Sequence, residues 1–221
     1  MRPLVAEFLG TFLLVFAGTG SMVVNAVSAG AIGHLGVALS FGLAVTAGIT
    51  AFAQVSGAHF NPAVTLGLAL ARRFAWTRVA AYAAAQCAGA IAASLCLHSL
   101  FPTDVTLGAT LPAAGVRAAF WFEIVLTFIL VATILGATSG GSRVVMLAPA
   151  AIGGTVALDA IFGGPVSGAS MNPARSLGPA LVAQVWTAHW LYWLAPILGS
   201  ALAALIFSLL HPPDPKIHEE A

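Results

Sequence analysis

Long apolar stretches separated by short polar ones set the pattern of this chain. Six of them, at residues 4–27, 35–55, 79–101, 118–138, 144–164 and 190–210, are long enough to cross a membrane as helices, since a hydrocarbon core of about 30 Å takes roughly 20 residues. Two further apolar runs, 62–71 and 173–183, are too short. At about 1.5 Å per residue each reaches about halfway across. Both open on Asn-Pro-Ala, and asparagine at the cap with proline in the first turn is a sound helix start. The pattern therefore predicts six spanning helices and two half-length ones.

The chain also repeats itself. Glu7-Phe8-Leu9-Gly10-Thr11 matches Glu123-Ile124-Val125-Leu126-Thr127, and Ser56-Gly57-Ala58-His59-Phe60-Asn61-Pro62-Ala63 matches Ser167-Gly168-Ala169-Ser170-Met171-Asn172-Pro173-Ala174. Each half holds three spanning helices, an odd number, so the second half enters the membrane from the opposite side and the repeat is inverted. The whole chain reads as one transmembrane domain: repeat one at about 4–101, a Gly/Pro-rich linker at 102–116, repeat two at about 117–210, and a short tail at 211–221. A lone Asn-Pro before an apolar run is ordinarily only a helix cap. Two copies in equivalent places, each opening a segment too short to span, point instead to half-helices whose starts meet at mid-membrane, because irregular backbone there must be buried in protein or line a wet cavity.

Composition supports a membrane protein. Of the 221 residues 60% are hydrophobic and only 7% charged, against roughly a quarter charged in soluble domains. The net charge of +1 indicates no nucleic-acid partner. Arg2, Arg72, Arg73, Arg78, Arg143 and Lys216 fall on one side and Arg117 on the other, which predicts both termini in the cytoplasm and a multi-pass protein of the cell (inner) membrane. Arg2 before an apolar run resembles a signal peptide, but Glu7 interrupts it and the segment recurs within the chain. Cys87 and Cys96 lie too far apart along one helix to pair, and His34, His98, His189, His211 and His218 show no ligand spacing, so neither a metal nor a cofactor is expected.

Small residues at helical spacing, Gly36, Ser40, Ala44 and Gly48, then Ala81, Ala85, Gly89 and Ala93, predict close helix packing. Trp186, Trp190, Tyr192 and Trp193 predict interfacial anchoring. Intramembrane acids invite a proton-relay reading, but Glu7 and Glu123, in equivalent positions, can instead accept backbone N–H bonds from a re-entrant loop. Asp159 has no counterpart in that pattern. Arg175 at membrane depth must line water or be paired, because a guanidinium there costs at least about 2.5 kcal/mol.

With its two Asn-Pro-Ala triplets, the first in Ser-Gly-Ala-His-Phe-Asn-Pro-Ala-Val-Thr and the second followed by Arg175-Ser176, the chain resembles the aquaporin (major intrinsic protein) family from Glu7 to about Leu210. The resemblance implies an all-α, right-handed bundle of six transmembrane helices plus two re-entrant half-helices, usually a homotetramer with one pore per subunit in the lipid bilayer. It implies that Asn61, Pro62 and Ala63 with Asn172, Pro173 and Ala174 form the pore centre, where the asparagine amides donate to the permeating molecule. It also implies an outer constriction of Phe41, Ala160, Ala169 and Arg175, an inner-pore role for His59, and a loop-supporting role for Glu7 and Glu123.

The best-known water-only members have a histidine where this chain has Ala160, so the constriction is expected to be wider. The run from Gly164 to Ala180 is similar to plant nodulin-like intrinsic proteins, a branch that includes carriers of glycerol and metalloid acids, whereas Ser176, Ala180, Tyr192 and Trp193 look like water-channel markers. The expected function is a passive water channel that excludes ions and protons, with small neutral solutes as further candidates. A glycerol or metalloid-acid facilitator is the alternative within this fold, and an ion-coupled secondary transporter the alternative from another class. No nucleophile, base and orienting group recur at a recognisable spacing, which argues against an enzyme.

Overall fold

The computed structural model describes residues 1–211, so the tail expected at 211–221, with Lys216 and His218, lies outside the described residues except for His211. Among those residues all the regular structure is helical: α1 (Arg2–Val27), α2 (Gly33–Ser56), α3 (Pro62–Leu70), α4 (Trp76–Leu100), α5 (Val116–Ala137), α6 (Ser142–Ser167), α7 (Pro173–Ala183) and α8 (Leu191–Leu210). The six long helices are each apolar and long enough to span a membrane. Leu43, Leu147, Leu158, Leu205 and similar side chains stay exposed on their outer faces, as suits helices solvated by lipid.

The two short helices begin where asparagine caps them. Asn61 accepts from the backbone N–H of Ala63 and Val64, and Asn172 from those of Ala174 and Arg175. Each half-helix then packs against the third spanning helix of the other half, α3 on α8 and α7 on α4, while α2 meets α6 between the halves. Neither half is thus a self-contained unit. Helices α2 and α6 come close at Gly42 and Gly153, where a Cβ on either would strike the other's carbonyl. This differs from the stripe expected on α2, because Gly48 serves instead to admit the Phe60 ring.

Two further expectations are corrected. Helix α6 continues to Ser167 through Pro165, past the expected end at 164. Proline lacks the N–H that would bond the Ile161 carbonyl, and His34 Nε2 bonds that carbonyl from α2 at 2.7 Å. Tyr192 is not an interfacial anchor: it is fully buried, and its hydroxyl donates to the Ser167 carbonyl at 2.7 Å. Tyr82 donates in the same way to Ser56 at 2.9 Å, so the pair ties the end of the second helix in each half.

Candidate pore

The segments leading into α3 and α7 hold a backbone that few residues adopt. Beyond Gly57 and Gly168, positive φ occurs at Ala58 (54°), Phe60 (52°), Ala169 (42°) and Met171 (53°). Each such non-glycine residue costs of order 1–3 kcal/mol and persists only when its surroundings over-determine it. The two acids supply that restraint. Glu7, 0% exposed, accepts from His59 N at 3.0 Å, Phe60 N at 2.7 Å and Gln86 Nε2 at 2.8 Å. Glu123, also 0% exposed, accepts from Ser170 N at 2.8 Å, Met171 N at 2.7 Å and Ser167 Oγ at 2.7 Å.

The strained backbone presents carbonyls to the opposite loop. Asn61 Nδ2 donates to Met171 O at 2.7 Å, and Asn172 Nδ2 donates to Phe60 O at 2.9 Å. An asparagine amide carries two N–H groups, so each keeps one beyond this crossed pair. Both asparagines border a central cavity of about 190 Å³ that also touches His59, whose Nδ1 lies 3.1 Å from Thr65 Oγ1. One wall of that cavity is apolar, with Val45, Ile49, Ile152 and Val156.

A second cavity of about 90 Å³ opens toward Met22 and His34. Four residues border both cavities: Phe41, Ala160, Ala169 and Arg175. Arg175 is 2% exposed and its guanidinium donates to no carboxylate among the described residues. Its Nη1 donates to Gly108 O at 2.8 Å, its Nη2 lies 3.4 Å from Met22 Sδ, its Cζ sits 4.9 Å from the Phe41 ring centroid, and its Nε has no partner among the described residues. Such a cation, held only by neutral groups, retains N–H capacity for whatever passes.

Of the sequence-derived candidates, Phe41, His59, Asn61, Ala160, Ala169, Asn172 and Arg175 border the cavities, whereas Pro62, Ala63, Pro173 and Ala174 border neither and open the half-helices, and Glu7 and Glu123 hold the loops from behind. Asp159 stands apart: it is 0% exposed, borders neither cavity, and neither carboxyl oxygen has a hydrogen-bond partner among the described residues. Sequence reasoning missed Gln86, Gly108 and Met22. A buried amide in an apolar helix is itself a signal that could have found Gln86. Gly108 sits in what reads as a plain linker, yet that segment buries Leu107, Ala109 and Thr110 and delivers its carbonyl to Arg175.

Residues 1–207 match the family model described as Major intrinsic protein. The chain is 47% identical to Aquaporin NIP1-4 of Oryza sativa subsp. japonica, over 95% of this chain and 77% of that protein. It is 41% identical to Nodulin-26 of Glycine max, over 99% of this chain and 81% of that one. Among solved structures, the aquaglyceroporin from Plasmodium falciparum superposes with a TM-score of 0.84 at 25% identity, covering 96% of this chain and 97% of the other.

Proposed function

The chain belongs to the major intrinsic protein family and is a membrane channel, not an enzyme; from that premise we propose that it conducts water passively through a pore in each chain while excluding ions and protons. The observation that carries this reading is the set of four residues shared by the two cavities. Among the described residues these four alone border both cavities, and one of them is a buried guanidinium without a carboxylate partner among those residues. The paired N-termini of α3 and α7 each bring roughly half a positive charge to the pore centre, a recognised means of excluding cations and protons in aquaporin-type pores. The reading covers the chain as a single channel domain, with both termini in the cytoplasm, in the cell membrane, as a homotetramer.

A second reading is favoured by Ala160 and Ala169. Two small side chains opposite Phe41 and Arg175, together with the apolar wall of Val45, Ile49, Ile152 and Val156, suit small neutral solutes with an apolar flank, such as glycerol, and compact hydroxylated ones such as boric acid. The likeness to the aquaglyceroporin from Plasmodium falciparum supports such a pore.

Light-scattering flux in proteoliposomes, comparing water, glycerol, urea and boric acid against empty vesicles, tests both readings when repeated with Ala160→His. Wild type is expected to pass water without regard to an imposed proton or sodium gradient. The imidazole is expected to cut glycerol or boric acid flux by about tenfold, corresponding to about 1.4 kcal/mol of added barrier, and water by only a few-fold. Uphill flux driven by an ion gradient overturns the channel mechanism. Equal solute flux through both proteins removes Ala160 from the constriction, and a wild type that passes water alone removes the second reading.

A further inference from the structure

Arg175 meets the protein through an unusual set of neighbours. A guanidinium has five N–H groups. In this chain one is bonded by a backbone carbonyl, Gly108 O at 2.8 Å, and one is directed at a thioether, Met22 Sδ at 3.4 Å. A thioether sulfur is a weak, polarizable acceptor, so of the two holds the carbonyl fixes and the sulfur only restrains. Met22 comes from α1, which contributes no other described residue to the outer cavity, and it borders that cavity together with His34, Val37 and Ala38. Its sulfur is itself backed by the linker, since a Cβ on Gly108 would lie 3.2 Å from it. The same glycine thus supplies the carbonyl for Nη1 and stands behind the sulfur that faces Nη2.

We propose that Met22 is a fifth, specificity-determining member of the outer constriction, whose sulfur tethers the Arg175 guanidinium to the α1 wall and so sets the aperture left for solutes. This rests on the reading of Phe41, Ala160, Ala169 and Arg175 as the constriction. Without an acceptor on α1, Nη2 has to take its partner from the pore, and the guanidinium leans into the gap opposite Ala160. The sulfur holds the arginine aside between permeation events. A hydrocarbon at this position has no acceptor for Nη2, and a carboxylate fixes the cation in an ion pair. Met22 acts through Arg175 and is a positioning residue for it.

The test compares wild type with Met22→Leu, which keeps apolar bulk and removes the acceptor, and Met22→Gln, which has similar reach and restores an acceptor oxygen. The readout is the ratio of glycerol or boric acid permeability to water permeability in proteoliposomes, normalised to folded protein by size-exclusion chromatography. Loss of the tether is expected to lower the ratio about fivefold in Met22→Leu, the scale of a hydrogen bond worth about 1 kcal/mol, and Met22→Gln is expected to bring it back to within about twofold of wild type. A ratio unchanged in Met22→Leu, or lowered equally in both variants, overturns the proposal, because only shape or stability would then have mattered. If wild type passes water alone, the wider-solute reading has failed by itself. Water permeability then becomes the readout, with the tether predicting an approximately twofold loss in Met22→Leu and recovery in Met22→Gln, and no loss overturning it.

Discussion

The two halves of the repeat build the same loop from the same devices and finish it differently. In each, a buried glutamate from the first helix receives three donors, an asparagine caps the half-helix, and a tyrosine from the last helix ties the end of the second. The first loop then presents His59, resting at 4.7 Å from the Phe74 ring centroid and 5.1 Å from that of Tyr82, and anchors Glu7 through Gln86. The second loop presents Ser170 in place of the histidine, bonds Glu123 through Ser167 Oγ, and adds Arg175 with its linker carbonyl. Shared parts hold the strained backbone; of the parts that differ, His59, Ser170 and Arg175 border the cavities, whereas Gln86 and Ser167 do not.

The largest effect is expected from attacking what the halves share. Glu7→Ala and Glu123→Ala each leave two backbone N–H groups buried without an acceptor and remove one acceptor from Gln86 Nε2 or Ser167 Oγ, and each is expected to cost about 3 kcal/mol or more. Fluorescence-detected thermal stability in detergent is the measurement, and the two losses should be similar. A glutamate that is dispensable in one half alone would break the equivalence of the two loops.

A smaller effect, on selectivity rather than stability, should separate the halves. Arg175→Val is expected to raise glycerol or urea flux about tenfold, as for the loss of about 1.4 kcal/mol of barrier, and to admit a proton leak readable with a pH-sensitive dye. His59→Val, at the other end of the central cavity, is expected to change either flux by less than about threefold. A histidine variant that leaks as much as the arginine variant would place selectivity at both ends.

The smallest effect concerns a residue that breaks the repeat to no visible advantage. Asp159 lies eight positions before Ser167, and its counterpart eight before Ser56 is Gly48, which makes room for the Phe60 ring. Asp159→Ala removes a buried carboxyl without a partner among the described residues and is expected to raise stability by about 1 kcal/mol, with water flux within about twofold of wild type. A drop in stability would show that the carboxyl is held by an interaction beyond those described.

Much of this was legible in the sequence for local reasons. Span lengths follow from apolar runs, and the half-helices from a cap and a proline that act on the residues immediately after them. The acids could be paired with their loops because the repeat displayed the same arrangement twice. What was hidden depends on distance along the chain. Met22 and Gly108 reach Arg175 across 153 and 67 residues, and no local rule connects a methionine in an apolar helix, or a glycine in a linker, to a cation elsewhere. Tyr192 was misread because a tyrosine among tryptophans at a helix start has the composition of an interfacial belt, and only the Ser167 carbonyl shows which way its hydroxyl turns. The apolar window at 144–164 fell short of the end of α6 because only the fold shows that His34 partners the Ile161 carbonyl that Pro165 leaves free.

The crossed bonds at the pore centre have a consequence for biosynthesis. Asn61 needs the Met171 carbonyl and Asn172 needs that of Phe60, across 110 and 112 residues, and α3 needs α8 for its packing. When the ribosome has released only the first half, α3 has α4 and its loop has Glu7 to rest on, but α8 is missing and the Asn61 amide and the Phe60 carbonyl lack their mates, which hydrocarbon does not tolerate unsatisfied. The pore centre is therefore expected to close only after the second half has been made, with the two half-helices docking late.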